Sequence, residues 1–345
     1  MPIHTMNKIQ EEDIKFFING FTLANELNGA TFLITGATGL IGRVLVECLL
    51  GLGQDISITI PVRNKEKAEF IFGAGKEKLH IVECNLTEFL CGLSIRYDYI
   101  IHLASPTSGL FICQNPIETY EFTIETTRYL LQYASEKSIR SLVYVSSLEY
   151  YGQNEDNSVI HENYLGYIDM GSARSAYPMG KRAAEFLCTS YAIENNTPVK
   201  IARLTQTFGA GVAEDDCRVF AQFARSVIKG EDIVLHTKGN SAKPYCYTTD
   251  CVSAILYILL YGEKGEAYNV ANEDTYISIR DMAYFVCKHF NSKINVVIEE
   301  NDNMGYAPVT KLRLSTDKLA MLGWHPHYDL YGMFRRLIDD MRGMH

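Results

Sequence analysis

An α/β fold, a doubly wound parallel sheet with a smaller and partly interleaved C-terminal unit, is what this sequence predicts, and three observations carry that expectation. From Ala30 to Leu204, short apolar runs alternate with helical segments. Those runs are continuously apolar and do not alternate with polar residues, as in strands covered by helices on both faces. The chain has 345 residues, more than the roughly 250 to 300 at which a single core stops growing, so two units are expected.

Taken in order, residues 11–28 read as an amphipathic helix, because Ile14, Phe17, Ile18, Phe21 and Leu23 recur at near-helical spacing. Strand 31–35 (TFLIT), helix 40–51, strand 56–62, helix 65–72 and strand 79–83 follow. Next come strand 98–103 (DYIIHL), helix 116–136, strand 141–146 (SLVYVS), helix 177–195 and strand 199–204 (VKIARL). After Gly209 the rhythm changes, with loops near 210–218 and 236–248, a helix near 218–229 and a compact tail from about 273. The segment 250–271 reads as a helix followed by a strand, AYNVA, that returns to the main sheet.

Composition narrows the functions. Hydrophobic residues make up 47% and charged residues 21%, which excludes a largely disordered or fibrous chain. With 41 acidic against 32 basic side chains the net charge is −9, and no basic block offsets it, so neither nucleic acid nor a membrane surface is an expected partner. No signal-peptide core and no membrane-length apolar run is visible, so a cytoplasmic protein is expected. The nine cysteines are scattered; even Cys84/Cys91 and Cys246/Cys251 fit no metal or redox spacing. They read as reduced thiols, and no metal is expected. His102, inside an apolar strand, reads as a core residue, and Trp324 as an anchor of the C-terminal unit.

The first motif that carries chemistry is Thr35-Gly36-Ala37-Thr38-Gly39-Leu40-Ile41-Gly42, directly after the first strand and opening the first helix of the sheet. Three glycines permit a tight turn, close approach of backbone to a pyrophosphate and close helix packing, while the helix N-terminus offers free N–H groups to the anion. A carboxylate ending the second strand would hold the adenosine ribose of NAD. Here that strand ends Val62-Arg63-Asn64-Lys65, and Arg63 suits a 2′-phosphate or stacking on adenine. This position leaves NAD against NADP open.

The second motif is Tyr177-Pro178-Met179-Gly180-Lys181. On a helix, residues four apart share a face, so an ammonium beside the phenol favours phenolate. An unperturbed tyrosine titrates near ~10, and a base working near neutrality needs that lowering. Ser146-Ser147-Leu148-Glu149, ending a strand of the sheet, supplies the matching hydroxyl.

With these motifs the chain resembles the extended short-chain dehydrogenase/reductase family, in its nucleotide-sugar epimerase, dehydratase and decarboxylase branch, from Ala30 to about Asp340. The resemblance implies a Rossmann fold and an enzyme that oxidises a nucleotide-bound sugar at C4. It makes Tyr177 the base, Lys181 the group that lowers its pKa and holds the nicotinamide ribose, and Ser147 the partner of the reacting hydroxyl. It places the dinucleotide against Gly36, Thr38, Gly39, Leu40, Ile41, Gly42, Arg63, Asn85, Leu86, Leu103, Ala104, Ser105, Tyr177 and Lys181. It places the sugar nucleotide against Pro106, Ser147, Glu149, Gln206, Arg218 and Lys243. NAD is favoured by the resemblance, with NADP open because of Arg63.

Within that branch, ARLTQTFGAG (202–211), CRVFAQF (217–223), KPYCYTTD (243–250) and LGWHP (322–326) resemble the UDP-glucuronate decarboxylases most. Three positions depart from them: Gln206 stands for an Asn, Lys243 for an Arg and Asn85 for an acid. Dehydration needs an acidic proton donor after the serine, and Leu148 has none to give. Glu149 and Lys243 suit a sugar acid, so decarboxylation leads and epimerisation is the alternative; a keto-sugar reductase and a dinucleotide sensor are further readings. Relatives pair through helices corresponding to 116–136 and 177–195, which implies a homodimer. The expected division is a helical extension over 1–29, a dinucleotide unit over 30–208 and 250–272, and a sugar-nucleotide unit over 209–249 and 273–345.

Overall fold

The computed structural model describes residues 6–154, 156–300 and 309–343. Helix α1 (Lys8–Gly20) opens it, followed by β1 (Thr31–Thr35), α2 (Leu40–Gly51), β2 (Ser57–Val62), α3 (Lys65–Phe72), β3 (Leu79–Glu83), α4 (Leu86–Cys91) and β4 (Tyr99–His102). Next are α5 (Gly109–Gln114), α6 (Pro116–Lys137), β5 (Ser141–Ser147), β6 (Val159–Ile160), α7 (Ala176–Asn195), β7 (Val199–Leu204) and β8 (Gln206–Phe208). Then come α8 (Val219–Lys229), β9 (Ile233–Leu235), β10 (Ala242–Tyr247), α9 (Thr248–Tyr261), β11 (Ala267–Val270), β12 (Asn272–Ser278) and α10 (Ile279–Phe290). Strands β13 (Val296–Ile298) and β14 (Arg313–Leu314) and helices α11 (Asp317–Ala320) and α12 (Leu330–Arg342) complete it.

Seven strands form one sheet in the order β3-β2-β1-β4-β5-β7-β11, every neighbouring pair parallel. The pleat sends alternate residues to opposite faces. Phe32 and Ile34 enter the core shared with α2 and α9, while Leu33 between them enters the core shared with α6 and α7. Continuous apolarity along β1 therefore follows from burial on both faces. The strand order reverses between β1 and β4, and a doubly wound sheet opens its ligand crevice there, at the carboxyl ends.

The remaining strands make a sheet β12-β10-β8 and the pairs β13-β9 and β14-β6. Beside the three-stranded sheet lies a separate core in which Phe208, Phe220, Tyr245, Tyr247, Met333 and Phe334 meet. Between β10 and β12 in the chain, α9 and β11 return to the main sheet, where Ala267 sits opposite Ile201. Trp324 is buried in the main core and its indole donates to Ser253 Oγ on α9 at 2.8 Å, so it anchors the C-terminal segment to the sheet's helical layer.

The expected helix over 11–28 is corrected at both ends. Asn7 caps it earlier, its side chain accepting from Gln10 N, and it stops at Gly20, where Phe21 turns extended. A separate turn of 3-10 helix covers Ala24–Leu27. Ile14, Phe17 and Phe21 are buried against the main core, each worth about 1.5–3 kcal/mol of hydrophobic burial. The polar face of α1 grips the other half of the chain: Asn7 and Gln10 donate to Asp340 Oδ1 on α12 at 2.6 and 2.9 Å, and Asp13 pairs with Arg336. Residues 1–5 of the expected extension lie outside the described residues.

Candidate active site

The glycine loop leaves β1 and enters α2 at the crevice where the strand order reverses. Gly36 has φ +72°, and a Cβ there would lie 2.7 Å from Ala104 N just beyond β4; a Cβ on Gly42 would lie 2.3 Å from Gly36 O. The fold itself demands these two glycines. Gly39 differs: its Cβ would meet only Gly36 O, at 3.4 Å. As the N-cap of α2 it has no capping side chain, so the first-turn N–H groups are left for an anion. Thr38 is half-buried at the mouth, Leu40 packs toward the second core and Ile41 and Leu103 toward the main one.

These residues fit a dinucleotide. The crevice is kept clear by absent side chains, it faces a helix N-terminus, and Ser105 Oγ is buried beside it without a hydrogen-bond partner among the described residues. Arg63 is exposed at the end of β2. Asn85, expected near adenine, uses its carboxamide oxygen to cap α4, accepting from Thr87 N and Glu88 N at 2.9 and 3.3 Å; Leu86 behind it packs with Leu90 and Tyr97.

On the other wall, β5 ends at Ser147 and α7 begins at Ala176, which brings together the residues that carry the proton chemistry. Tyr177 and Lys181 are 9% and 3% exposed, and Ser147 hydrogen-bonds the Tyr177 phenol. Lys181 Nζ donates to Val145 O at 2.9 Å and stands 4.9 Å from the Tyr144 ring centroid and 5.6 Å from that of Tyr177.

In the chain without dinucleotide, burial first, then the charge of Glu149, push the Tyr177 pKa up, against smaller lowering by the Ser147 hydrogen bond and by Arg174. Burial brings Lys181 itself down to about 8, while Glu185 and Glu149 hold it up.

Arg174, absent from the sequence-based set, is the residue that links these groups. It sits three residues before Tyr177, in a 3-10 turn over Ala173–Ser175. Its Nη2 donates to Glu149 Oε1 at 2.7 Å, its guanidinium carbon is 5.6 Å from the Tyr177 ring centroid, and its Nη1 is buried without a partner among the described residues. Desolvation lowers the half-buried Lys243, which also feels the charges of Glu149 and Arg174. Glu149 is therefore paired with one cation and feels the charge of a second. The signal in the sequence was only the spacing, one turn ahead of Tyr177.

Gln206 on β8 lies opposite Tyr245 on β10, the strand that carries Lys243. Arg218 is paired within its own loop, with Nε 3.0 Å from both oxygens of Asp216. Pro106 is half-buried after β4. His102 is buried, with Nδ1 2.6 Å from Thr35 Oγ1 and Nε2 3.3 Å from Thr126 Oγ1; burial brings it to about 3, a neutral core histidine. Among the described residues no group of three His, Cys, Asp or Glu could hold a metal, and no helix is long and apolar enough to cross a membrane. A cavity of about 670 Å³ lies behind α7, lined by Arg182, Phe186, Arg203 and Lys318, away from the glycine loop.

A crevice held clear by glycines next to a buried phenol and ammonium is what chemistry on a bound dinucleotide requires, and it defines an enzyme of the short-chain dehydrogenase/reductase class. The particular family is the NAD dependent epimerase/dehydratase family, which matches residues 32–271; the chain belongs to it. It is 28% identical over 318 residues to UDP-glucuronic acid decarboxylase 5 of Arabidopsis thaliana, covering 90% of this chain and 89% of that one. With UDP-glucuronic acid decarboxylase 1 of Danio rerio it shares 26% over 306 residues, 88% of this chain and 70% of that one. The fold is that of UDP-glucose 4-epimerase from Thermotoga maritima, with a TM-score of 0.77 at 19% identity over 91% of this chain and 99% of that one. It is likewise that of a dTDP-glucose 4,6-dehydratase from Bacillus anthracis, with a TM-score of 0.75 at 17% identity over 91% and 97%.

Proposed function

We propose that the protein oxidises the sugar of a nucleotide sugar acid at C4 and releases its carboxyl group as carbon dioxide, as a UDP-glucuronate decarboxylase does. The observation that carries this reading is the pair of cations, Arg174 and Lys243, near Glu149 and Tyr177: a sugar carboxylate bound beside the phenol would pair with them. Curated relatives that align with nine-tenths of the chain carry the same activity in their names.

Gly36, Gly39, Gly42, the start of α2 and Ser105 would hold NAD, and Lys181 its ribose. Bound there, the cofactor supplies an acceptor for the C4 hydride and the donor that returns it in the same cycle. Tyr177, with Ser147 on the reacting hydroxyl, takes the hydroxyl proton; a carbonyl at C4 then lies β to the carboxylate, so the C–CO2 bond breaks with its electron pair entering an enolate. The enolate carbon then takes a proton from water, and Tyr177 gives its proton back to the C4 oxygen, while C4 takes the hydride that the bound cofactor would supply. Glu149 orients the sugar and gives up Arg174 to the incoming acid, while Gln206 and Arg218 bind the remainder of the substrate. Leu148 offers no proton to a leaving hydroxyl, which disfavours dehydration.

In this reading residues 30–208 with 250–272 hold the dinucleotide, and 209–249 with 273–345 hold the sugar nucleotide. The protein is a cytoplasmic homodimer paired through α6 and α7, whose large apolar side chains Ile117 and Phe186 are each 72% exposed. Mass spectrometry on a panel of nucleotide sugars tests the assignment. Loss of the mass of carbon dioxide from the uronic acid supports it; a product of unchanged mass would make the enzyme an epimerase.

A further inference from the structure

Behind the reacting groups lies a buried ion pair whose carboxylate touches both of the elements that carry them. Glu185 sits one helical turn after Lys181 on α7, so the two side chains share a face. Its Oε1 accepts a short hydrogen bond from Ser146 Oγ, and Ser146 is the residue immediately before Ser147 on β5. The charge is balanced from the neighbouring strand. Arg203 on β7, directly opposite Ser146 in the sheet register, donates Nε to both carboxylate oxygens at 3.1 and 3.0 Å and Nη2 to Oε2 at 2.7 Å. Both side chains are nearly inaccessible, 5% and 4% exposed. Arg203 is itself fixed, with Nη1 donating to Tyr151 OH and Glu162 O at 3.0 and 2.6 Å and its guanidinium 3.5 Å from the Tyr150 ring centroid.

We infer that Glu185 is a positioning residue for the reaction: one carboxylate, oriented by Arg203, fixes the end of β5 through Ser146 and places a negative charge beside Lys181. The inference rests on the reading of Ser147, Tyr177 and Lys181 given above. A purely structural ion pair would explain the Arg203 contacts. It would not explain why the carboxylate's remaining bond goes to the residue next to Ser147, on the strand that ends at the site. Electrostatics agree with the geometry: Glu185 is the main group that holds Lys181 up against burial. The other groups facing Lys181 are Cys188 on its own helix, Glu149 after β5, the Tyr144 and Tyr177 rings and His102 on β4. Of these only the two glutamates bring negative charge at neutral pH.

The test uses the full chain with NAD and its nucleotide-sugar substrate, following kcat and KM across pH, with a melting curve for each variant. Glu185→Gln keeps the volume and removes the charge. It is expected to lower kcat by about tenfold or more with KM within roughly twofold. It is also expected to move the alkaline limb of the kcat profile to lower pH, because a lysine without its neighbouring carboxylate loses its proton sooner. Ser146→Ala removes the hydrogen bond alone; it should lower kcat without moving that limb. Wild-type kcat and an unmoved limb in folded Glu185→Gln would overturn the inference. If that variant does not fold, Ser146→Ala decides: reduced kcat at unchanged KM supports it, and wild-type kcat overturns it. Tyr177→Phe run alongside separates the two levels. An inactive Tyr177→Phe with fully active positioning variants defeats this inference alone, whereas an active Tyr177→Phe defeats the reading beneath it.

Discussion

Arg174 reaches back from the turn before α7 to hold Glu149 at 2.7 Å, so the carboxylate whose charge acts on the phenol is already paired, and the Arg174 guanidinium carbon stands 5.6 Å from the Tyr177 ring centroid. Both partners are more than a third exposed, and a pair of that kind contributes at most about 1 kcal/mol to stability. Its importance lies in what it does to Tyr177.

Arg174→Met should leave the melting temperature nearly unchanged and shift the pH dependence. Arg174 lowers the Tyr177 pKa, and a base works once its proton is gone, so activity climbs as pH rises through that value. Without the guanidinium the value rises, and the acid limb of kcat/KM moves to higher pH. An unshifted limb in a folded variant would show that Arg174 does not act on the phenol.

The glycine loop separates folding from binding. Gly39→Ala adds a Cβ that meets only Gly36 O, at 3.4 Å, so the variant should fold and melt within a few degrees of wild type. The same methyl stands where a pyrophosphate must approach, and NAD affinity should fall by about tenfold or more, ~1.4 kcal/mol. Gly42→Ala places its Cβ 2.3 Å from a carbonyl oxygen and should destabilise the chain by about 1–3 kcal/mol. Calorimetric NAD titration together with melting curves checks both.

Lys243→Met should lose substrate affinity while Lys243→Arg preserves or tightens it, because methionine removes the charge and arginine adds a second donor arm. A charge-assisted contact worth about 1.5–3 kcal/mol corresponds to roughly 10- to 150-fold in Kd. Isothermal titration with the nucleotide sugar acid reads this directly, and equal affinity for wild type and Lys243→Met would reduce Lys243 to surface charge.

The brace between α1 and α12 should titrate. Burial raises Asp13 from 3.8 to about 6, against the Tyr247 hydrogen bond and the Arg336 charge, which pull it down. A carboxyl whose folded value lies above its unfolded one favours the folded state when protonated. That contribution is fully present below 3.8 and disappears as pH climbs through about 6. Wild type should therefore lose stability relative to Asp13→Asn across that window and hold a constant difference above it. Melting curves of both proteins over the same range check the direction.

Much of this was legible in the sequence, and what was hidden has physical causes. TFLIT and VKIARL declared themselves as strands because burial on both faces leaves a continuous apolar run, and their limits, Thr31–Thr35 and Val199–Leu204, match the observed ones. Gly36 and Gly42 were recognisable because no other residue fits against Ala104 N and Gly36 O. The end of α1 was not, since Leu23 continues the helical spacing after the backbone has already turned at Phe21. Arg174 reads as an ordinary solvated charge until the turn over Ala173–Ser175 aims it at Glu149. The raised Tyr177 depends on burial and on the charge of Glu149, and a Tyr-x-x-x-Lys spacing reports neither. Glu185 and Arg203 meet only because α7 packs across β5 and β7.

Release of labelled carbon dioxide from carboxyl-labelled UDP-glucuronate, followed in parallel for the NAD-bound wild type and for Tyr177→Phe, bears most directly on the central claim. The account predicts label released in step with a nucleotide pentose by the wild type, and none by a Tyr177→Phe variant that still binds the sugar nucleotide. A wild type that binds the acid and releases no label, or a Tyr177→Phe variant that releases it at the wild-type rate, would contradict the account.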